Sequence, residues 1–130
     1  MAHEEEAQKY CDYALKILKA DKLRFRPMRR TTRVNYKRGF VIGRTNLKTG
    51  LITIDVFTPR KREPKKISSV LRTLCHEAAH HQKMPFRQIY KRRWIIRQHY
   101  PEFYKQVERN IKILKNDKIL KRFFIAKAGD

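Results

Sequence analysis

The sequence predicts an α+β fold in which helices flank a small β-sheet. Apolar residues recur at helical spacing near the N-terminus and again from residue 68 onward, whereas residues 22–58 are rich in β-forming residues. The chain has 130 residues, of which 41% are hydrophobic, and this is sufficient for one modest core. We therefore expect residues 1–130 to form a single domain.

The first predicted element is a helix over residues 4–20, and a sheet follows within residues 22–58. Glu4–Glu6 would interact favourably with the positive N-terminal end of this helix. The segments LRFRP, RVNYKRGFVIGRTN and LITIDVFT predict about three strands, and NLKTG predicts the hairpin turn before the last of them. Alternation in that strand places three apolar side chains on one face: Ile52, Ile54 and Val56.

A helix is predicted over residues 68–84, after the polar loop PRKREPKK. Ser68 or Ser69 would cap its N-terminus, and Pro85 marks its end or a kink. Its buried stripe consists of apolar residues at helical spacing: Val70, Leu71, Leu74 and Ala78.

Two further helices are predicted in the C-terminal part of the chain. The amphipathic segment FRQIYKRRWIIRQ, residues 86–98, predicts a short helix. Pro101 suits the first turn of a helix that would run over residues 101–115. Residues 116–130 are then a C-terminal tail, in which another short helical turn would fit.

The segment TLCHEAAHHQ contains a His-Glu-x-x-His motif on the predicted helix over residues 68–84. Side chains four residues apart lie one above the other on a helix, so His76 and His80 would bind one zinc ion at bond lengths of about 2.0–2.1 Å. Glu77 is rotated off that face and would reach a water at an open coordination position. Zinc lowers the pKa of such a water to about 7, and the carboxylate would then take its proton.

A catalytic zinc ion usually has three protein ligands, so one more is required. His81 points about 100° away from His80 on a regular helix and is therefore expected at the rim of the site. Two residues further along the chain offer a nitrogen or oxygen ligand, namely His99 and Glu102. The residues alone leave both of them open.

The stretch LRTLCHEAAHH, together with RQHYPEFYKQV, resembles the small zinc peptidase domains of the SprT-like group and the related minigluzincins. These have an N-terminal helix, a short three-stranded sheet, the His-Glu-x-x-His helix and a further helix. In many members a histidine is the third ligand and is followed four residues later by Phe or Trp, as His99 is by Phe103. In minigluzincins the third ligand is a glutamate, which keeps Glu102 as the alternative. Many SprT-like members have glycine where this chain has Tyr100.

The resemblance, which covers roughly residues 5–115, implies a minimal zincin domain that uses Zn²⁺ to hydrolyse peptide bonds. It implies three metal ligands and one catalytic base: His76, His80, His99 and Glu77. The protein or peptide substrate would add as a strand to the edge of the sheet, which we expect along Leu51–Phe57. Tyr100 and Tyr104 are candidate donors to the oxyanion.

The charge of the chain fits either a solvated basic surface or a polyanionic partner, which would be nucleic acid, a ribosome, an anionic membrane or an acidic protein. Lys and Arg number 33 against 12 Asp and Glu, which gives a net charge of +21, and such a surface attracts polyanions over a Debye length or more. DNA or RNA bound through this surface would fit, as would cleavage of nucleic-acid-associated proteins. The alternative function is a basic nucleic-acid-binding module with a structural or vestigial zinc site.

The sequence also carries expectations about location. The apolar runs are too short to span a bilayer, and the acidic, polar start MAHEEEAQKY is not typical of a secretory signal. The two cysteines, Cys11 and Cys75, do not form a Cys-x-x-Cys pair. We therefore expect a cytoplasmic protein with reduced thiols and without a membrane span.

Overall fold

The computed structural model describes residues 2–29 and 41–125 as an α+β fold. Three helices are present, α1 (Ala2–Ile17), α2 (Ile67–Gln82) and α3 (Pro101–Lys115), and a short 3-10 helix follows at Leu120–Phe123. The strands are β1 (Arg24–Pro27), β2 (Gly43–Thr45), β3 (Leu51–Ile54), β4 (Phe86–Tyr90) and β5 (Arg93–Arg97). Much of the predicted strand segment RVNYKRGFVIGRTN, and the end of the predicted tail, lie outside the described residues.

A helix is present at each of the three longer helical segments that the sequence predicts. Helix α2 begins at Ile67, slightly earlier than expected. Lys66 occupies its N-cap position and makes no side-chain capping bond. The predicted cap at Ser68 or Ser69 is wrong, because both residues lie inside the first turn of the helix. Helix α3 begins at Pro101, whose fixed φ suits a first turn and whose missing N–H is not needed there.

The first three strands form one sheet in the order β1-β3-β2. Strand β3 is parallel to β1 and antiparallel to β2, with Ile52 opposite Phe25 and also opposite Thr45. The expectation that Leu51–Phe57 forms the sheet edge is therefore wrong, because β3 is paired on both sides. Among the described residues the edge strand on the side of α2 is β2.

The turn between β2 and β3 requires its glycine. Gly50 has a φ of +77°, and a Cβ atom there would lie 2.6 Å from the backbone oxygen of Lys22. The Asn46 side chain stabilises the same turn by accepting hydrogen bonds from the backbone N–H groups of Lys48 and Thr49. The predicted hairpin turn at NLKTG is thus present, and it sets the register that places β2 beside the helix.

The core lies between the sheet and the helices α1 and α2. Ile52, Ile54 and Val56 are fully buried on one face of the sheet, as alternation predicts. Asp55, on the other face, is also buried, and its carboxylate accepts two hydrogen bonds from the Arg62 guanidinium, at 2.7 and 3.1 Å. This pairing holds the end of the strand against the loop that leads into α2.

The predicted short helix over residues 86–98 is wrong, because this segment is the antiparallel hairpin β4–β5. Its β-branched and aromatic residues favour strands, and a segment this short does not distinguish the two periods. The turn consists of Lys91 and Arg92, which adopt positive φ values of 50° and 64°. Neither is the glycine or asparagine that normally signals such a turn, so no local pattern indicates it.

Candidate metal centre

Three histidines from two helical regions converge on one point. His76 and His80 are one turn apart on α2, and His99 lies just before the first turn of α3. Their ring centroids are 4.9–5.3 Å apart, and one nitrogen from each ring lies within 4.8 Å of the others. Within residues 2–29 and 41–125 this is the group of His, Cys, Asp and Glu side chains that is close enough to hold a metal ion.

The ring of Phe103 packs against all three imidazoles. It is fully buried, it stacks on His80 with a centroid distance of 4.4 Å, and it meets His76 and His99 edge-on at 5.0 and 5.1 Å. Phe103 lies in the first turn of α3 and His99 immediately precedes the helix, so the start of α3 brings the two rings into contact. The ring contacts restrict the orientation of each imidazole.

The buried side-chain amide of Asn110 links α3 to α2 by hydrogen bonds. The Asn110 side chain is fully buried and donates to the backbone oxygen of Cys75, at 3.1 Å, and to the Gln82 side-chain oxygen, at 2.7 Å. Gln106 in turn donates to the Asn110 oxygen. These bonds connect α3 to the turns that carry His76 and His80, so they hold the helices at a fixed spacing.

Glu77 lies in a cleft between α2 and strand β2. The cleft has a volume of about 420 Å³. Gly43 lines it, and a Cβ atom on Gly43 would lie 2.8 Å from the Thr73 methyl group and 3.6 Å from a Glu77 carboxylate oxygen. The strand therefore approaches the helix this closely only because residue 43 is glycine. The lining residues are Gly43, Arg44, Thr45, Leu47, His76, Glu77, His80, Pro85, Gln98 and His99.

Burial controls the protonation of the groups in this cleft. Burial raises the pKa of the Glu77 carboxyl to about 7. Burial, followed by the neighbouring imidazoles, lowers the pKa of His80 to about 4, and burial and His99 lower that of His76. Both changes in pKa favour the neutral imidazole, which is the form that binds a metal ion.

Replacing Glu77 with Gln is expected to stabilise the metal-free protein at pH 8 by about 2–3 kcal/mol, which is somewhat less than the full change in the Glu77 pKa implies because solvent partly screens the carboxylate. The folded carboxyl has a pKa of about 7 against an ordinary value of 4.5, so the wild-type protein loses stability as the pH rises between these values. Glutamine does not ionise, and the difference should shrink toward zero as the pH falls to 4.5. Urea unfolding of chelator-treated proteins across this range measures it. An equal difference at all pH values would contradict the raised pKa, and the exposed Glu5→Gln variant is the control.

The adjacent histidine, His81, faces away from the cluster, as helical geometry predicts. Its Nε2 shares a hydrogen bond with the Thr45 hydroxyl, and it is half-buried. It therefore connects α2 to β2 at the edge of the cleft. Cys75 is fully buried, and burial raises the pKa of its thiol to about 12.

The other candidate residues lie around the cluster. Glu102 is exposed in the first turn of α3 and is not part of the three-residue group. The Tyr100 hydroxyl donates to the backbone oxygen of Met84, at 2.9 Å. Tyr104 is half-exposed and its ring stacks on His99 at a centroid distance of 6.1 Å. Neither tyrosine is among the residues that line the cleft.

A larger cavity of about 680 Å³ lies at the other end of α2. Its lining is basic and aromatic and includes Lys66, Arg72 and Phe124. It lacks the histidine cluster, so the smaller cleft is the one equipped for metal chemistry.

Sequence reasoning missed the residues that shape the cleft from the sheet side and from α3. Gly43 and Thr45 come from β2, and Asn110 is a buried polar residue in α3. A glycine inside a predicted strand often marks a close backbone approach, so Gly43 carried a usable signal. Asn110 carried none, because its partners are far away in the sequence.

Comparison of the chain with protein-family models, with curated proteins and with solved structures found no match. In the part of the chain that the structure describes, every helix is too short or too polar to cross a bilayer. The function must therefore be argued from the cleft itself.

Proposed function

We propose that the protein is a zinc-dependent metallopeptidase of the zincin type. The observation that carries the proposal is the convergence of three imidazoles, His76, His80 and His99, beside the buried carboxyl group of Glu77 in one open cleft. The order of helix, three-stranded sheet, motif helix and final helix agrees with the resemblance to SprT-like domains and minigluzincins. The β4–β5 hairpin lies between the second and the third histidine.

The donor set of this site suits zinc. Imidazole nitrogen is a preferred zinc ligand, and three protein ligands with one open position are typical of catalytic zinc sites. Structural zinc sites are instead closed by four protein ligands. In the described residues the cluster contains three histidines and opens on a cleft, which favours the catalytic reading over a structural site. Zinc supplies Lewis acidity, which polarises a carbonyl group and makes water more acidic.

Glu77 is the residue that would move the proton. Its carboxyl group has a pKa near 7 in the metal-free fold, and a nearby dication would shift it toward the ionised form. The ionised carboxylate accepts a proton from the attacking water. The protonated carboxyl then gives that proton to the amine that leaves, so one group serves both halves of the reaction.

Strand β2 is positioned to hold an extended substrate. It is the edge strand on the cleft side among the described residues, and Gly43, Arg44 and Thr45 line the cleft. A peptide that adds to this edge would receive backbone hydrogen bonds with little dependence on its sequence. The scissile bond would then lie between β2 and the histidines.

Zinc analysis together with a cleavage assay tests the proposal. Protein purified without chelator or a nickel column should contain zinc in equimolar amount and should cleave casein or a fluorogenic peptide. Removing the metal with a chelator should abolish cleavage, and zinc added back should restore it. Cleavage that survives complete removal of the metal would refute the proposal, as would purified protein that neither contains nor binds zinc.

A further inference from the structure

The β4–β5 hairpin projects from the fold between two of the clustered histidines. All residues of β4 and all but one of β5 are exposed. The two strands pair only with each other, so each keeps an outer edge without a strand partner among the described residues. Packing in the core therefore contributes little to the stability of this segment.

One face of the hairpin is apolar. Ile89 pairs across the strands with Trp94. Ile96 lies beside Trp94 on the same face, and its cross-strand partner is Arg87. The side chains of Ile89, Trp94 and Ile96 are 60%, 69% and 64% exposed. Contiguous exposed apolar side chains of this size mark an interaction surface.

The hairpin is also strongly cationic. Between residues 86 and 97 it carries five basic residues and no acidic residue. Lys91 and Arg92 occupy both left-handed positions of the turn, a conformation that non-glycine residues adopt only with strain. Asn-Gly would make the same turn with less strain, so this turn carries two positive charges in place of the residues that favour it. The basic residues are Arg87, Lys91, Arg92, Arg93 and Arg97.

The base of the hairpin lies at the cleft that contains the three histidines. Pro85 precedes β4, Gln98 follows β5, and both line the cleft. Arg44 on β2 adds a further positive charge to the lining. A chain that binds along the hairpin would therefore continue toward the histidines.

The chemistry of the hairpin excludes several partners. A bilayer would take up the apolar residues only if the tip entered it, and Lys91 and Arg92 at the tip oppose this. A second copy would bring five cations against five cations. Unpaired bases would stack on Trp94 and Tyr90, but they would leave the exposed aliphatic side chains of Ile89 and Ile96 uncovered, so a chain that also carries apolar side chains fits the hairpin better.

We propose that the β4–β5 hairpin binds acidic segments of polypeptide that carry apolar residues at alternate positions, and guides them to the cleft. An extended chain alternates its side chains between two faces. A chain that pairs with the outer edge of β5 would place its apolar side chains beside Trp94 and Ile96, and its carboxylates beside Arg93 and Arg97 on the other face. As a statement about substrates this rests on the proposed peptidase function, whereas the binding itself does not.

The fluorescence of Trp94 provides a direct test, because it is the only tryptophan in the chain. The probe is a synthetic peptide that alternates Glu with Val or Leu, added to zinc-loaded Glu77→Gln protein, which binds without cleaving. We expect a blue shift of the emission that saturates, and weaker binding at higher salt. A peptide with Gln in place of Glu should bind at least about tenfold more weakly.

Charge-reversal variants locate the binding site. Arg92→Glu with Arg93→Glu should weaken peptide binding by about tenfold or more. Lys16→Glu with Lys22→Glu, on α1 and the turn after it, changes the net charge equally and should have little effect. Equal losses in both double variants would overturn the proposal, because the overall charge of the protein would then explain the binding.

A variant with a more favourable turn distinguishes loss of binding from loss of fold. Competing ligands then test which class of partner the hairpin prefers. Lys91→Asn with Arg92→Gly makes the turn easier to form and should still weaken peptide binding. Binding of a single-stranded oligonucleotide or of phosphatidylserine vesicles that is tighter than peptide binding, and lost in this variant, would overturn the proposal. Peptide binding without cleavage in the wild-type protein would support the proposed binding and refute the peptidase function.

Discussion

Replacing Glu77 with Gln is expected to lower kcat/KM for peptide cleavage by about a thousandfold while the zinc content stays unchanged. General acid–base catalysis contributes about 10²–10⁴-fold, and Glu77 is the only carboxylate among the described residues that line the cleft. The amide of glutamine preserves the size of the side chain and does not accept a proton. Steady-state kinetics with a fluorogenic peptide, combined with metal analysis of the same samples, measure both quantities.

The control for this prediction is Glu5→Gln. Glu5 is exposed on α1, away from the residues that line the cleft, so its substitution should leave cleavage and zinc content unchanged. If Glu77→Gln cleaves at the wild-type rate, the proton is transferred by another group and the catalytic role of Glu77 is refuted. If it loses its zinc as well, the residue acts on the metal site rather than on the proton.

His99→Ala is expected to remove zinc binding, and Glu102→Ala is expected to leave it intact. His99 lies 5.3 and 4.9 Å from the rings of His76 and His80, whereas Glu102 is outside the group. Loss of a residue that merely orients a ligand weakens metal binding by about 10–100-fold, so loss of a ligand should weaken it by at least that much. Competition with a zinc-binding dye measures the affinity of both variants.

The two variants form a matched pair, because both truncate a polar side chain beside the same helix start. Zinc affinity that falls in Glu102→Ala and not in His99→Ala would assign the third ligand to the glutamate. Circular dichroism separates loss of metal from loss of fold, since His99 is exposed and its truncation leaves the core intact.

The local parts of the site could be predicted from the sequence. His76 and His80 follow from the helical repeat alone, because four residues on a helix return a side chain to the same face. His99 is separated from them by a whole hairpin, so its place was implied only by the resemblance to known zinc peptidases. The structure brings it to the cluster through Phe103, which packs against all three rings.

The non-local parts could not be predicted in the same way. Which strand lies at the sheet edge depends on the parallel pairing of β1 with β3, and local alternation does not contain that information. The sequence of the hairpin predicts a helix because its turn consists of Lys91 and Arg92, neither of which is a residue that typically forms turns. Asn110 matters through partners on another helix, which no local pattern records.

The position of the hairpin between His80 and His99 has a thermodynamic consequence. A metal ion held by both residues closes the intervening chain, residues 81–98, into a loop and reduces the freedom of the hairpin at both of its ends. A peptide that binds the anchored hairpin better than the released one must then strengthen metal binding, and the metal must strengthen peptide binding by the same factor. Under the proposed function, the affinity for peptide and the affinity for metal would therefore be thermodynamically coupled.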